Sequence, residues 1–165
     1  MTDLTHLFDD HKDTVYRFLR YQLQSHEDAC DGVQEVFLRA WKAWNGYRRE
    51  ANPRTWLLSI ARYYAIDVIR KRRRNAIDFV DHVPDQPSPD APASYRLELE
   101  ETLATLRPNY RQVFLLRCIE DLPIQEVARI LGWTSARVQV TYFRAVRELR
   151  VLLADEDPGE DVNVR

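Results

Sequence analysis

Glycine is scarce in this chain, four in 165 residues, which argues against glycine-rich phosphate loops and against turn-dense β architecture. Cysteine is scarcer still. Cys30 and Cys118 can neither build a disulfide framework nor fill a zinc site, and both fall in apolar-periodic stretches, so each is expected to be a buried free thiol. No apolar run approaches the roughly 20 residues that span a bilayer. The opening MTDLTHLFDDHKD has neither a basic leader nor an apolar core, so it does not read as a secretory signal, and a cytoplasmic location is expected. The histidines His6, His11, His26 and His82 are scattered, with no metal-ligand spacing. His6 and His11 with Asp9 and Asp10 read as surface charges on an amphipathic helix. Neither metal, cofactor, small-molecule substrate nor catalytic residue is expected.

What the chain has in quantity is segregated charge. Its net charge of −2 hides a block over residues 39–74 with eleven cations (Arg39, Lys42, Arg48, Arg49, Arg54, Arg62, Arg70, Lys71, Arg72, Arg73, Arg74) against Glu50 and Asp67. Acidic stretches flank it on both sides, and the tail from Asp155 to Asp161 adds five acids. Such a block reads either as a solvated helix face or as a polyanion-binding face. The second is favoured, because so many like charges repel one another without a partner.

Periodicity predicts helices throughout and no strands. Leu4, Leu7, Phe8, Val15, Phe18, Leu19 and Leu23 recur at helical spacing, as one helix or a broken pair. Ser25 is a candidate N-cap for a helix over 27–44, whose expected buried stripe is Val33, Val36, Phe37, Ala40, Trp41 and Trp44, with Asn45–Gly46 as its stop. A basic loop (46–54) leads to Pro53, suited to the first turn of a long helix ending in RKRRR, where cations complement the helix dipole. The positions expected along its stripe are Trp56, Leu57, Ile60, Ala61, Tyr64, Ile66 or Asp67, Val68 and Ile69. DFVDHVPDQPSPDAPAS, with four prolines and four aspartates, reads as an extended linker. Helical patterning resumes at Tyr95, again after Pro108, and after the break at Asp121–Leu122–Pro123.

That last segment has the anatomy of a helix-turn-helix. Val127, Ile130 and Leu131 give the first helix an apolar face, Gly132 supplies the turn, and Thr134 caps the second helix. Val138, Tyr142, Ala145, Leu149 and Leu152 must then face the core. Arg137, Gln139, Val140, Phe143, Arg144 and Arg147 are left on the outer face, as candidates for base edges and phosphates. In the basic block, cations alternate with aromatics (Tyr47, Arg48, Arg49, Trp56, Arg62, Tyr63), the composition that binds single-stranded nucleic acid by backbone pairing and base stacking. Trp56 suits the core or the border of such a pocket, the core being favoured.

DACDGVQEVFLRAWKAW, TWLLSIARYYAIDVIRKRRR and PIQEVARILGWTSARVQVTYFRAVRELR resemble, in this order, the core helices of the extracytoplasmic-function sigma factors, group IV of the sigma-70 family. The resemblance implies an all-α protein of two small helical domains joined by a flexible linker. A region 2 domain would occupy 1–75, a linker 76–95, a region 4 helix-turn-helix domain 96–153 and a disordered acidic tail 154–165. It implies docking on the β′ clamp helices of core RNA polymerase through Asp31, Gln34, Glu35, Leu38, Arg39 and Trp41, with the β flap a further contact. Melted minus-ten DNA would meet Tyr47, Arg48, Arg49, Arg54, Arg62, Tyr63, Arg70, Lys71, Arg72, Arg73 and Arg74, and duplex minus-thirty-five DNA the six outer residues of the last helix. A membrane-associated anti-sigma factor is a further partner that the resemblance implies.

The chain departs from the family pattern in three places. Gly32 stands where a hydrophobic residue is usual, Tyr63 where asparagine is common, and Ala136–Thr141 where Gly-Thr-Val-Lys-Ser-Arg is common. The nearest alternative is a stand-alone helix-turn-helix regulator that binds duplex DNA without polymerase. A purely adaptor role leaves the arginine run unexplained.

Overall fold

The computed structural model describes residues 4–47, 52–76 and 93–155, and among them there is no strand. Three helices form the N-terminal domain: α1 (Leu4–Leu23), α2 (His26–Ala43) and α3 (Pro53–Asn75). The C-terminal domain holds α4 (Ala93–Thr105), α5 (Pro108–Phe114), α6 (Ile124–Leu131) and α7 (Ser135–Asp155). The expected linker falls mostly, and the acidic tail almost wholly, outside the described residues.

Of the two readings of the first segment, one unbroken helix is correct. Leu7, Val15, Phe18, Leu19 and Leu23 are buried along α1. Gln24, at φ 57°, turns the chain, and the Ser25 hydroxyl accepts from the Asp28 amide at 3.1 Å to start α2. Asn52 likewise accepts from the Arg54 amide, with Pro53 in the first turn of α3 as expected.

The expected stripe of α2 holds except at one position: Val36 and Ala40 are buried with Ala29 and Gly32, and Val33, Phe37 and Trp44 pack against the core, whereas Trp41 is 63% exposed. A Cβ at position 32 would lie 2.7 Å from Leu19 Cδ1 and 2.7 Å from Tyr64 Cε1. The helix therefore crosses α1 and α3 too closely for large side chains, and its small residues turn inward. Glycine in a helix costs about 1 kcal/mol against alanine; here it admits the contact that packs all three helices. In α3, Leu57, Leu58, Ala61 and Ala65 are buried, while Trp56 is half-buried against the core.

The segment after Pro108 is not one regular helix. α5 runs into a turn of π-helix over Leu115–Ile119, closed by the Glu120 amide donating to the Leu115 carbonyl at 2.9 Å. Asp121, at φ 50°, then redirects the chain. Val127, Ala128, Ile130 and Leu131 are buried in α6. Gly132 takes the left-handed conformation (φ 65°), letting the Trp133 amide reach the Ala128 carbonyl at 3.0 Å. The Thr134 hydroxyl accepts from the Arg137 amide at 3.2 Å, as its capping role requires.

The two domains pack together, α1 against α4 and α5, and α3 against α6. Besides the apolar cluster that runs through both domains, their junction carries several buried polar contacts. Arg111, 7% exposed, donates to the carbonyls of Leu103, Ala104 and Leu106 at the end of α4 and to that of Gln22 in α1, so one guanidinium closes two helix ends. Burial lowers its pKa, and its four acceptors are what keep the cation tolerable there.

Candidate nucleic-acid and docking interfaces

α7 sorts its side chains cleanly. Val138, Ala145 and Leu149 are buried and Tyr142 and Leu152 pack against the core, so Arg137, Gln139, Val140, Phe143, Arg144 and Arg147 all face solvent. Phe143 is 74% exposed, which a soluble helix does not favour without a partner. The Arg137 guanidinium lies 3.8 Å from the centre of the Trp133 ring, a cation–π contact that holds it beside the helix start. This is a convex helix capped at its start and presenting cations, an amide and apolar groups together, the mixture that reads a major groove.

The candidates in the basic block divide into two populations. Arg70, Lys71, Arg73 and Arg74 are exposed or nearly so, and with Arg39, Tyr64, Asp67 and Val68 they line a cleft of about 610 Å³. Tyr63 is exposed, beneath the Arg62 guanidinium at 5.4 Å. Tyr47 stacks on Trp56 at 4.4 Å and on Trp44 at 5.7 Å, forming an aromatic platform where the basic loop leaves α2. Arg48 and Arg49 lie outside the described residues.

The remaining three arginines are engaged within the chain. Arg72 pairs with Asp28 and donates to the Leu23 carbonyl at 2.7 Å, joining α3 to the α1–α2 turn. Arg62, assigned by the resemblance to the melted strand, is half-buried and donates to Gln112 Oε1 at 3.3 Å; burial lowers its pKa. Arg54 reaches the Glu120 carboxylate at 2.8 Å and also donates to the Glu120 carbonyl.

On α2, Asp31, Gln34, Leu38 and Trp41 form an exposed stripe, whereas Glu35 and Arg39 belong to a network. Arg39 pairs with Glu35 at 2.9 Å and Asp67 at 3.8 Å, and stands over Tyr64 at 5.5 Å. Leu38 and Trp41 line an apolar groove with Gln34 and with residues not anticipated, Leu4, Thr5, Phe8 and Phe37. Phe8 meets Phe37 edge-on at 4.8 Å, so the first turns of α1 complete this surface. Phe8, which the helical period places on the apolar stripe, is 39% exposed at the open end of this groove.

Both cysteines are exposed, correcting the expected burial. Cys30 follows buried Ala29 and so points off the inward face of α2, and the Cys118 sulfur lies 3.2 Å from the Tyr142 hydroxyl. Sequence reasoning also passed over Glu120, whose partners lie far away in the chain.

Comparison with known proteins covers both domains. Residues 7–75 match the model of sigma-70 region 2, and residues 96–149 that of sigma-70 region 4. The ECF RNA polymerase sigma factor SigX of Bacillus subtilis is 32% identical, over 96% of this chain and 89% of its own length. The chain belongs to the extracytoplasmic-function sigma factors. SigL of Mycobacterium tuberculosis is 32% identical over 90% of this sigma factor and 88% of the relative. In fold, the sigma factor RpoE of Bartonella quintana, solved with the anti-sigma factor NepR, superposes with a TM-score of 0.81 at 22% identity, covering 93% of this chain and 98% of that one. In these terms α1–α3 carry sigma region 2, and α4–α7 carry region 4.

Proposed function

We propose that this sigma factor docks on core RNA polymerase through the outer face of α2, holds the melted minus-ten strand along α3, and reads the minus-thirty-five duplex with α7. The observation that carries the reading is the outer face of α7, where Arg137, Gln139, Val140, Phe143, Arg144 and Arg147 are all exposed behind a capped, buried-core helix. Asp31, Gln34, Leu38 and Trp41 supply a free docking stripe, which Glu35 and Arg39 brace from the side. Tyr63, the Tyr47 platform and Arg70, Lys71, Arg73 and Arg74 offer stacking and phosphate pairing to a single strand. Arg72 contributes by fixing the end of α3 rather than by touching DNA.

Gln139 and Thr141 replace the basic residues common at those positions, so base preference rests more on Arg137 and on the apolar contacts of Val140 and Phe143. An anti-sigma factor is a natural partner, by analogy with RpoE, which was solved with one bound. A cytoplasmic location accords with the described residues, none of whose helices is long and apolar enough to cross a membrane.

In-vitro transcription with purified core polymerase over a genomic promoter library tests this reading. Specific initiation dependent on the chain is expected. Failure to bind core and to direct initiation from any promoter would overturn it.

A further inference from the structure

Glu120 sits at the junction of the two domains, 1% exposed. Arg17 of α1 donates to it in bidentate fashion, Nε to Oε1 at 2.8 Å and Nη2 to Oε2 at 3.0 Å. Arg54 of α3 donates to Oε2 at 2.8 Å. Around this centre Thr55 donates to Glu126 Oε2 at 2.8 Å, Arg62 to Gln112 Oε1 at 3.3 Å, and Arg20 to Glu100 Oε2 at 3.1 Å. The hydrogen bond to Glu120 raises the pKa of Arg17, in keeping with a pair that holds its charge. A carboxylate held by two guanidiniums offers these arginines what a backbone phosphate would, an anionic group accepting paired N–H bonds.

Two of the α3 arginines assigned to the promoter strand are thus already occupied by region 4. The closed arrangement is also too short for its task. Promoter elements about 25 base pairs apart are separated by roughly 85 Å along the duplex axis, whereas a compact chain of this size has a radius of gyration of roughly 15 Å. Binding both elements at once requires the domains to part.

We infer that Glu120 is an internal competitor for promoter DNA: it holds region 4 closed on region 2 by occupying Arg54 together with Arg17, and DNA binding along α3 requires that this contact break. The inference rests on the sigma reading of α3. The ion pairs around Glu120 suit release, because each of these charged groups can be rehydrated or taken over by a phosphate. The π turn over Leu115–Ile119 belongs to the device, since Glu120 follows it directly and its amide closes the turn.

The decisive test is Arg17→Ala, because it removes a cation that has no part in the proposed DNA face. Simple electrostatics predicts weaker DNA binding. The competitor model predicts tighter binding, by roughly tenfold, the factor a single charge-assisted hydrogen bond is worth. The full-length variant is measured by fluorescence anisotropy on a short mixed-sequence single-stranded DNA, and by small-angle scattering for its radius of gyration. Glu120→Gln should act in the same direction, with Glu101→Gln as the matched charge change at an exposed site away from the junction. Circular dichroism checks that each variant is folded, and Arg17→Ala, at a half-exposed position of the other domain, tests the contact without altering the π turn. A rise of several ångströms in radius together with tighter binding in both variants supports the proposal. An unchanged radius, or an opened chain that binds no more tightly, overturns it. Absence of polymerase-dependent initiation by the wild-type chain would instead fault the sigma reading, whatever the scattering shows.

Discussion

The arginines of α3 and those of α7 look alike in sequence and are used differently. On α7, Arg137, Arg144, Arg147 and Arg150 are all exposed, and Arg137 meets only an aromatic face. On α3, Arg54, Arg62 and Arg72 each have a partner in another helix or turn of the same chain, while Arg70, Arg73 and Arg74 are left to solvent. A run of cations thus mixes structural and binding roles, and only the partners separate them. Arg111 is the limiting case, a guanidinium almost wholly enclosed and bonded to backbone carbonyls.

Substitutions can break or sharpen this contrast. The largest effect is expected at Arg111. Arg111→Ala leaves buried carbonyls of α1 and α4 without a donor and should cost about 3 kcal/mol or more in stability, read from the urea midpoint. Next, Arg144→Ala should cost about 1–3 kcal/mol in transcription-competent promoter recognition while stability and core binding stay unchanged. Loss of core binding would show that Arg144 has been given the wrong role. A smaller contrast lies inside one run of sequence. Arg72→Ala should lower stability by about 1–2 kcal/mol. Arg73→Ala should change stability by less than about 0.5 kcal/mol and instead flatten the salt dependence of DNA binding by about one unit of slope. Equal effects of the two on stability would erase the distinction drawn here.

The smallest effect concerns His11, whose pKa is lowered from its usual value near 6.5, chiefly by burial and further by the charge of Arg54, against the opposing pull of Asp10. A depressed folded pKa means that the unfolded chain takes up its proton first. Stability is therefore full above about pH 6.5 and declines as pH falls through the lower folded value. Comparing urea midpoints at neutral and mildly acidic pH should show this slope in the wild type and a shallower one in His11→Gln.

The helix-turn-helix could be read from sequence almost residue by residue. Its signals are local, an apolar period of three and four, Gly132 at the turn and Thr134 at the cap, and the outer face follows as the complement of the buried one. The all-α architecture and the two family regions were equally legible. On α2 the exception was Trp41: at the close crossing Ala29, Gly32 and Ala40 occupy the centre of the contact, and this large ring lies on the outer side of the helix. The Glu120 contact was not legible either. Its partners Arg17 and Arg54 stand 103 and 66 residues away, and no local period carries that information. The cysteines were misjudged for a related reason: an apolar stretch is not an inward face, and one residue's shift turns a side chain by about 100°.

The tight crossing at Gly32 also bears on recognition. A side chain at position 32 would push against Leu19 and Tyr64, so the spacing of α2 from its neighbours, and with it the placing of Leu38 and Trp41, depends on that glycine. For the docking proposed on that face, a surface whose spacing is fixed in the free chain means less ordering entropy to lose on association.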